Sequence, residues 1–207
     1  MLRGMQPAVF IQGRKVTLGP VDPADAEQYS VWVNDPRVRV YLNRPFPQTV
    51  DEERQRVEGL IGAADAVGFS IRLREDGRLI GRSAIRGIHA VNHSGVFTIF
   101  LGDPATWSGG LGTEATALTT AYALDVLNLH RLELEVFAFN ERAVRAYERL
   151  GFVREGIRRE AKFHDGAFHD AILMAIVARD WQAGLRDRVR AYADTPAEGW
   201  AEASSPK

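Results

Sequence analysis

The chain has 207 residues, of which 45% are hydrophobic and 26% are charged, and its formal net charge is −1 at pH 7. This balance is ordinary for a soluble globular protein and provides no bulk field toward nucleic acid or a membrane surface, so we expect neither partner. The absence of Cys excludes disulfides, thiolate metal sites and a Cys nucleophile, and it fits a reducing cytoplasm, where we expect the protein to reside.

The length of the chain and the lack of a linker or repeat predict a single domain over residues 1–194. A polar tail over 195–207 follows, and its composition predicts disorder. No apolar run approaches the roughly 18 residues that a membrane-spanning helix needs. The first ten residues, MLRGMQPAVF, are also too short an apolar stretch for a signal peptide.

Two helices are predicted in the first third of the chain. Asp22 followed by Pro23 is a typical helix start, and Thr49 lies three residues before Glu52, which is the spacing of a capping box. In chain order, we predict a strand over 13–21, a helix over 22–33, a turn and short element over 34–42, and a helix over 49–65.

Most of the predicted strands follow, separated by turn sequences such as Asp76-Gly77, which is a strong hairpin signal. The further predictions are strands over 68–74, 78–88 and 96–102, a helix over 113–127, a strand over 130–139, a helix over 140–152, a hairpin of strands over 152–163 and 168–177, and a helix near 178–192. Antiparallel strands, a strand–helix–strand–helix unit and a closing hairpin predict an α/β fold, with helices on both faces of a mixed sheet.

The stretch WSGGLGTEA at 107–115 brings three Gly residues directly before a predicted helix. Gly lets the backbone approach a ligand closely, and free N–H groups at a helix N-terminus favour an anion, so the loop predicts a phosphate site. A P-loop is excluded because no Lys-Ser/Thr pair follows the last Gly. Gly110, Gly112 and Ala115 match a dinucleotide fingerprint, but five residues separate this loop from its strand and an antiparallel run precedes it.

Residues 107–112 also resemble the coenzyme-binding signature Gln/Arg-x-x-Gly-x-Gly/Ala of the GNAT superfamily of N-acetyltransferases, with Trp107 in the place of Gln or Arg. Trp at this place is similar to the RimJ/RimL type, which acetylates the N-termini of ribosomal proteins. The likeness covers about residues 14–192, through FLGDPATWSGGLGTEA, LNLHRLELEVFAFNERAVRAYERLGF and REGIRREAKFHDGAFHDAILMAI.

The resemblance implies a GNAT fold, a mixed and mostly antiparallel sheet in which the strands at 96–102 and 131–137 form a parallel pair that splays apart. Acetyl-CoA would bind in the gap, with its pyrophosphate on N–H groups from Ser108 to Thr113, and no metal is implied. The implied coenzyme-binding residues are Leu101, Gly102, Trp107, Ser108, Gly109, Gly110, Leu111, Gly112, Thr113 and Asn140, and the oxyanion donor is expected from backbone near Leu101 or Gly102.

Acetyl transfer from a thioester requires a neutral amine, a donor for the developing oxyanion and a proton for the departing sulfur. The alternation in RLELEV places Glu133 and Glu135 on one face of a strand that is usually apolar on both faces. An Arg or water partner at a strand end is the alternative reading, and we favour it for Glu133. Similar RimI-type acetyltransferases have a base Glu 12 residues before an acid Tyr, which is the interval from Glu135 to Tyr147, so the resemblance implies that Glu135 is the base, through a water.

Tyr147 lies on a helical stripe with Ala143, Val144 and Leu150, which predicts core packing, and the resemblance adds the role of general acid. Asn140 is a good N-cap for the same helix. The five His residues do not make a metal site. Three aromatic residues of the early helices and their loop are candidates for an acceptor pocket or for ordinary packing: Trp32, Tyr41 and Phe46.

Together these features predict an N-acetyltransferase that uses acetyl-CoA as cosubstrate and transfers the acetyl group directly in a ternary complex. No Cys can carry the acetyl group, and composition alone leaves a Ser carrier open as an alternative. The resemblance favours a protein N-terminal α-amino group as the acceptor. A small-molecule amine (a polyamine, an aminoglycoside or an amino acid) and a non-catalytic acyl-CoA sensor stay open as alternatives. Homodimers occur among similar proteins, so the resemblance also allows a homodimer.

Overall fold

The computed structural model describes residues 8–192, apart from the side chains of residues 183 and 190. The tail predicted over 195–207 lies outside this range. Eight strands of the described part form one sheet in the order β1-β2-β3-β4-β5-β6-β8-β7. The strands are β1 (Ile11–Gln12), β2 (Val16–Pro20), β3 (Val67–Leu73), β4 (Leu79–His89), β5 (Ser94–Leu101), β6 (Arg131–Phe137), β7 (Val153–His164) and β8 (Ala167–Val177).

The helices cover both faces of this sheet, which confirms the mixed α/β prediction. They are α1 (Ala26–Asn34), α2 (Pro36–Arg39), α3 (Val50–Glu58), α4 (Leu111–Ala121), α5 (Glu141–Arg149), α6 (Ala178–Asp180) and α7 (Arg186–Arg190), with 3-10 turns at Pro23–Asp25 and Pro104–Thr106 and π-helical turns at Tyr122–Val126 and Trp181–Leu185. One cluster of buried side chains joins α1 and α3 to one face, and two further clusters join α4, α5 and the C-terminal helices to the other.

The helix starts follow their sequence signals. The Asp22 carboxylate accepts from the backbone N–H of Ala24 at 2.8 Å, and Thr49 forms both halves of a capping box with Glu52. The prediction that the second helix continues to residue 65 is wrong, because α3 ends at Glu58. Gly59 is its C-cap, and the chain then turns through Gly62, whose φ of +68° is unfavourable for other residues.

A short parallel pairing sits at the centre of an otherwise antiparallel sheet. β5 pairs with β6 only over Ser94–Val96, opposite Arg131–Glu133. Beyond this point β5 continues beside β4, and β6 continues beside β8 as far as Phe137. The expected parallel pair is therefore present and splays apart, leaving a gap between the C-terminal halves of the two strands.

Trp32 of α1 fixes the end of β5 at this gap. A Cβ atom at Gly102 would lie 1.9 Å from the Trp32 ring, so only Gly allows the chain to pass beneath the indole. Gly102 is buried there, and its N–H donates to the carbonyl of Ile80 at 2.8 Å. The turn out of β5 is thus held on one side by β4 and on the other by α1.

Candidate active site

A cavity of about 410 Å³ lies beside the unpaired half of β5. Its walls come from the end of β5, the loop that leads into α4, one face of α5, and the region from α2 to the turn that follows it. The lining residues are Val38, Tyr41, Leu42, Ile99, Phe100, Leu101, Thr106, Trp107, Ser108, Gly110, Gly112, Thr113, Thr116, Asn140, Arg142, Ala143, Ala146, Tyr147 and Arg149. The size is typical of a cofactor or ligand site.

The Gly-rich loop forms one end of this cavity and exposes the start of α4. Ser108 and Gly110 both have positive φ, at 69° and 82°. Gly110 is the N-cap and offers no side-chain cap, so the first N–H groups of α4 have neither a helical partner nor a capping oxygen. These N–H groups and the positive end of the helix dipole make this end of the cavity suited to an anion.

Two residues of the β1–β2 turn and α4 hold the loop in place. The carboxylate of Glu114, only 2% exposed, accepts from the backbone N–H groups of Lys15 at 2.7 Å and Val16 at 3.1 Å. The Lys15 ammonium donates to the carbonyl of Gly109 at 3.0 Å. The first turn of α4 and the loop before it are therefore tied to the start of β2 from both sides.

Backbone groups of β5 face the gap. The Gly102 N–H donates to the Ile80 carbonyl, so these two residues form a hydrogen-bonded pair of the antiparallel ladder. Hydrogen-bonded and non-hydrogen-bonded pairs alternate along such a ladder, so the adjacent pair, Leu101 and Gly81, is not hydrogen-bonded. The N–H of Leu101 consequently points away from β4, into the gap. The Trp107 indole N–H donates to the Leu101 carbonyl at 3.1 Å, which fixes Trp107 at the same place. Of the two expected oxyanion donors, Leu101 is the one whose N–H points away from β4.

Helix α5 supplies the opposite wall. The Asn140 side-chain oxygen accepts from the N–H of Ala143 at 3.3 Å and caps the helix, as its sequence position predicts, which leaves the side-chain amide free to donate into the cavity. Arg142 and Arg149 line the same wall, and the Arg142 guanidinium lies 4.5 Å from the centroid of the Trp107 ring. Within residues 8–192 neither arginine forms an ion pair, so both charges are available to an anion.

Tyr147 reaches the cavity from the centre of α5. Its ring packs edge-on against Phe97, with ring centroids 6.3 Å apart, and against Phe152 at 5.9 Å. Burial raises the pKa of the Tyr147 hydroxyl above its ordinary value of 10.0, so the group stays protonated at neutral pH. The side chain combines the packing that its stripe predicts with a hydroxyl at the cavity wall.

The two glutamates of β6 occupy the opposite face of the sheet from α5 and lie outside the cavity lining. Glu133 is in an ion pair with Arg131 at 3.0 Å, in agreement with the expectation of an arginine partner. Glu135 is exposed and accepts from the Arg158 guanidinium of β7 at 2.6 Å. The structure therefore separates Glu135 from the wall that carries Tyr147, because neighbouring residues of β6 alternate between the two faces.

Most of the residues expected at a coenzyme site meet at this cavity. Those that line it are Leu101, Trp107, Ser108, Gly110, Gly112, Thr113, Asn140 and Tyr147, and those that do not are Gly102, Gly109, Leu111 and Glu135. Sequence reasoning missed Lys15, Glu114, Arg142 and Arg149. For the two arginines a signal exists: Arg142, Ala146 and Arg149 are spaced four and three residues apart, which places them on one helix face with a small residue between two charges.

The other end of the cavity lies beneath α2 and carries aromatic side chains. Of the three aromatic residues considered for an acceptor pocket, Tyr41 lines the cavity, Trp32 is buried beneath the turn after β5, and Phe46 is 73% exposed. None of the side chains that line the cavity is acidic. In the described part of the chain, no three His, Asp or Glu side chains come together as metal ligands, and no helix is long and apolar enough to cross a membrane.

Comparison with known proteins agrees with this geometry. Residues 15–153 match the family model of the acetyltransferase (GNAT) domain. YdaF of Bacillus subtilis (strain 168), a candidate ribosomal N-acetyltransferase, is 25% identical over 172 residues, which cover 81% of this chain and 93% of YdaF. The structure of a spermidine N-acetyltransferase from Vibrio cholerae in complex with CoA and spermine is similar with a TM-score of 0.73 at 25% identity, covering 81% of this chain and 98% of that one. RimJ of Mycobacterium smegmatis in complex with CoA-disulfide has the same fold, with a TM-score of 0.73, 24% identity, and coverage of 85% and 88%.

The tie between Glu114 and β2 predicts a measurable stability effect. Glu114→Ala leaves two buried N–H groups without an acceptor, which we expect to lower the free energy of unfolding by about 2 kcal/mol. Glu114→Gln keeps one acceptor oxygen and should cost less. Urea unfolding would measure both, with Glu75→Ala at an exposed turn as the control, expected within about 0.5 kcal/mol of wild type. Equal stability of Glu114→Ala and wild type would contradict this role.

Proposed function

This chain belongs to the GNAT family of acetyltransferases, and on that premise we propose that it transfers the acetyl group of acetyl-CoA to the α-amino group of a protein N-terminus. The observation that carries the proposal is an uncapped helix N-terminus that shares one cavity, along a gap in the sheet, with two arginines that form no ion pair within residues 8–192. The acetyl donor follows from the fit of the site to a phosphate-bearing thioester. The acceptor follows from the charge of the cavity.

The residues at the cavity fit acetyl-CoA. The N–H groups of Leu111 to Thr113, with Ser108 and Gly110 in left-handed backbone, would hold the pyrophosphate, and Arg142 and Arg149 would add positive charge. The Asn140 amide and the free backbone edge of β5 would hydrogen-bond the pantetheine arm. When bound, acetyl-CoA would supply an acetyl thioester, whose carbonyl carbon is the atom that the amine attacks.

The backbone of the site would stabilise the developing oxyanion, and a side chain would act on the departing sulfur. The Leu101 N–H donates to the oxygen on which negative charge develops as the amine attacks. The Tyr147 hydroxyl, kept protonated by its burial, would donate a hydrogen bond to the departing sulfur and so stabilise its negative charge. Because an ordinary thiol pKa of about 8.5 lies below that of Tyr147, the hydroxyl would pass its proton to the sulfur only as it regains one from the attacking amine, which must itself lose a proton. Because the amine and the thioester are held together, the transfer is direct.

Glu135 is the proposed base, acting through a water on the acceptor side of the sheet. Its carboxylate lies on the face of β6 opposite α5, so it and Tyr147 would approach the reacting atoms from opposite sides of the gap. The Arg158 guanidinium donates to this carboxylate at 2.6 Å and fixes its position on that face. An α-amino group has an ordinary pKa of about 7.7–8.0, so a weak base is sufficient at neutral pH.

The charges around the cavity favour an α-amine over a polyamine. A polyamine carries several ammonium groups and requires carboxylates along its path, whereas Arg142 and Arg149 are the only charged side chains among the described residues that line this cavity. The nearby carboxylates of Glu133 and Glu135 are each held by an arginine. YdaF and the Vibrio cholerae enzyme represent the two acceptor classes among similar proteins, and the charges support the first.

The proposal is tested by release of free coenzyme A thiol from acetyl-CoA in the presence of N-terminal peptides, spermidine, free amino acids and aminoglycosides. We expect release with the peptides and little with spermidine. Release with spermidine alone would replace the proposed acceptor by a polyamine. Tight binding of acetyl-CoA by calorimetry with no release in any case would favour an acyl-CoA sensor.

The role of Tyr147 is tested by Tyr147→Phe, which removes the hydroxyl and keeps the ring. We expect turnover to fall about 100-fold while the dissociation constant of acetyl-CoA changes less than about twofold. In the wild-type enzyme, the raised pKa predicts that turnover is not lost to ionisation of Tyr147 as the pH rises from 7 to about 10. Turnover of Tyr147→Phe close to wild type would assign this residue to packing alone.

The role of Glu135 is tested by the pH dependence of Glu135→Gln. Below the pKa of the α-amine, the base must remove a proton, whereas above it the amine is already neutral. We therefore expect a loss of at least about tenfold at pH 7 that is partly recovered at pH 9.5. Glu133→Gln is the matched control and should stay near wild type. A loss of the same size at every pH would mean that Glu135 acts through structure.

A further inference from the structure

A series of rings in tilted and edge-to-face contact leads away from the proposed acceptor end of the cavity. Tyr41 contacts the Trp107 ring at a centroid distance of 5.8 Å and the Phe139 ring at 6.0 Å. Phe139 in turn contacts His164 at 5.3 Å and His169 at 5.0 Å, on the two strands of the β7–β8 hairpin. All five side chains are partly exposed, so the rings form a wall and not a closed core.

Two cationic side chains of the protein, Arg142 and Lys162, lie over aromatic rings at this wall. The Arg142 guanidinium lies 4.5 Å from the Trp107 ring and 6.0 Å from Tyr41. Lys162 lies 5.0 Å from the Phe137 ring and donates to the carbonyl of the cavity residue Leu42 at 2.9 Å. Burial lowers the pKa of Lys162, and the nearby charge of Arg39 lowers it further.

Phe139 lies between these two cation sites without a cation of its own. It stacks on Phe137 at 5.6 Å with an angle of 14° between the ring planes, and the two histidines border it on the hairpin side. The His169 ring is held by a hydrogen bond between its Nε2 and the carbonyl of His164 at 3.1 Å, and it meets Phe139 edge-to-face at an angle of 70°. A side chain placed against the exposed part of Phe139 would therefore lie among aromatic rings.

We propose that Phe139, together with Tyr41, His164 and His169, forms a subsite for the side chain of the first residue of the acceptor, and that this subsite selects an apolar or aromatic residue. The inference rests on the proposed function, because it requires an acceptor with a side chain next to its α-amine. An apolar side chain gains from contact with the rings, whereas a cationic one is repelled by Lys162, which already lies over the Phe137 ring.

The test compares three peptides that share every residue after the first and begin with Leu, Phe or Ser. For the wild-type enzyme we expect kcat/KM for the Leu and Phe peptides to exceed that for the Ser peptide by about tenfold. In Phe139→Ala this ratio should fall to about twofold or less, mainly through the loss on the Leu and Phe peptides. Phe139→Leu keeps an apolar side chain and should retain a ratio above that of Phe139→Ala.

Phe163→Ala is the matched control, because Phe163 belongs to the same hairpin, is 61% exposed, and contacts Phe168 but no ring of the subsite in the described structure. Its peptide ratio should equal that of wild type. Calorimetric binding of acetyl-CoA by each variant separates a local effect from misfolding, and Phe139→Leu provides the readout if Phe139→Ala does not fold.

Two results overturn the inference while leaving the proposed function intact. One is acetylation of all three wild-type peptides at equal kcat/KM. The other is an equal loss on all three peptides in the Phe139 variants, which would show that Phe139 only supports the fold. Acetylation of spermidine with no acetylation of any peptide would instead overturn the proposed function, and with it the acceptor on which the subsite depends.

Discussion

The parting of β5 from β6 is the constraint on which the rest of the molecule depends. Three residue pairs join the two strands, and beyond Val96 and Glu133 the backbone groups that would complete a parallel ladder have no strand opposite them. Backbone groups left in such a gap must find another partner, and a ligand with its own amide groups is one. The short parallel segment therefore both builds the sheet and creates the site.

The surrounding elements keep this gap open and determine the electrostatic charge of the cavity beside it. Trp32 holds the turn after β5 where any residue larger than Gly would clash, and Glu114 ties the start of α4 to β2. The uncapped start of α4 and the arginines of α5 make the cavity positive where we propose that the coenzyme binds. Carboxylates stay outside the cavity: Glu114 is satisfied by backbone N–H groups, and Glu133 and Glu135 by arginines. An anionic donor and a weakly charged acceptor are consistent with this separation.

Local signals in the sequence predicted the parts of the fold that depend on neighbouring residues. The caps at Asp22, Thr49 and Asn140, and the helix after the Gly-rich loop, follow from patterns within a few positions. The splayed pair and its ligand required the family resemblance, since no local pattern reports that two strands separate. The end of α3 was overestimated because Gly59 and Gly62 outweigh the helix-forming residues around them.

The site was less predictable where it depends on distant contacts. Alternation in β6 correctly placed Glu133 and Glu135 on one face, but it could not show that this face is opposite α5 and Tyr147. Likewise, Lys15 lies 94 positions from the loop carbonyl that it holds, and Lys162 lies 120 positions from Leu42. Such contacts arise only when the sheet is assembled, so they leave no periodic trace in the sequence.

We propose that the gap beside β5 binds the acetyl donor. Amide hydrogen exchange of the protein with and without acetyl-CoA tests it most directly, because it reports on the backbone groups concerned. The account predicts that protection on binding concentrates at Leu101 and at the first turn of α4, over 111–113. Protection that is absent from both segments while acetyl-CoA is bound would contradict the account and place the coenzyme elsewhere.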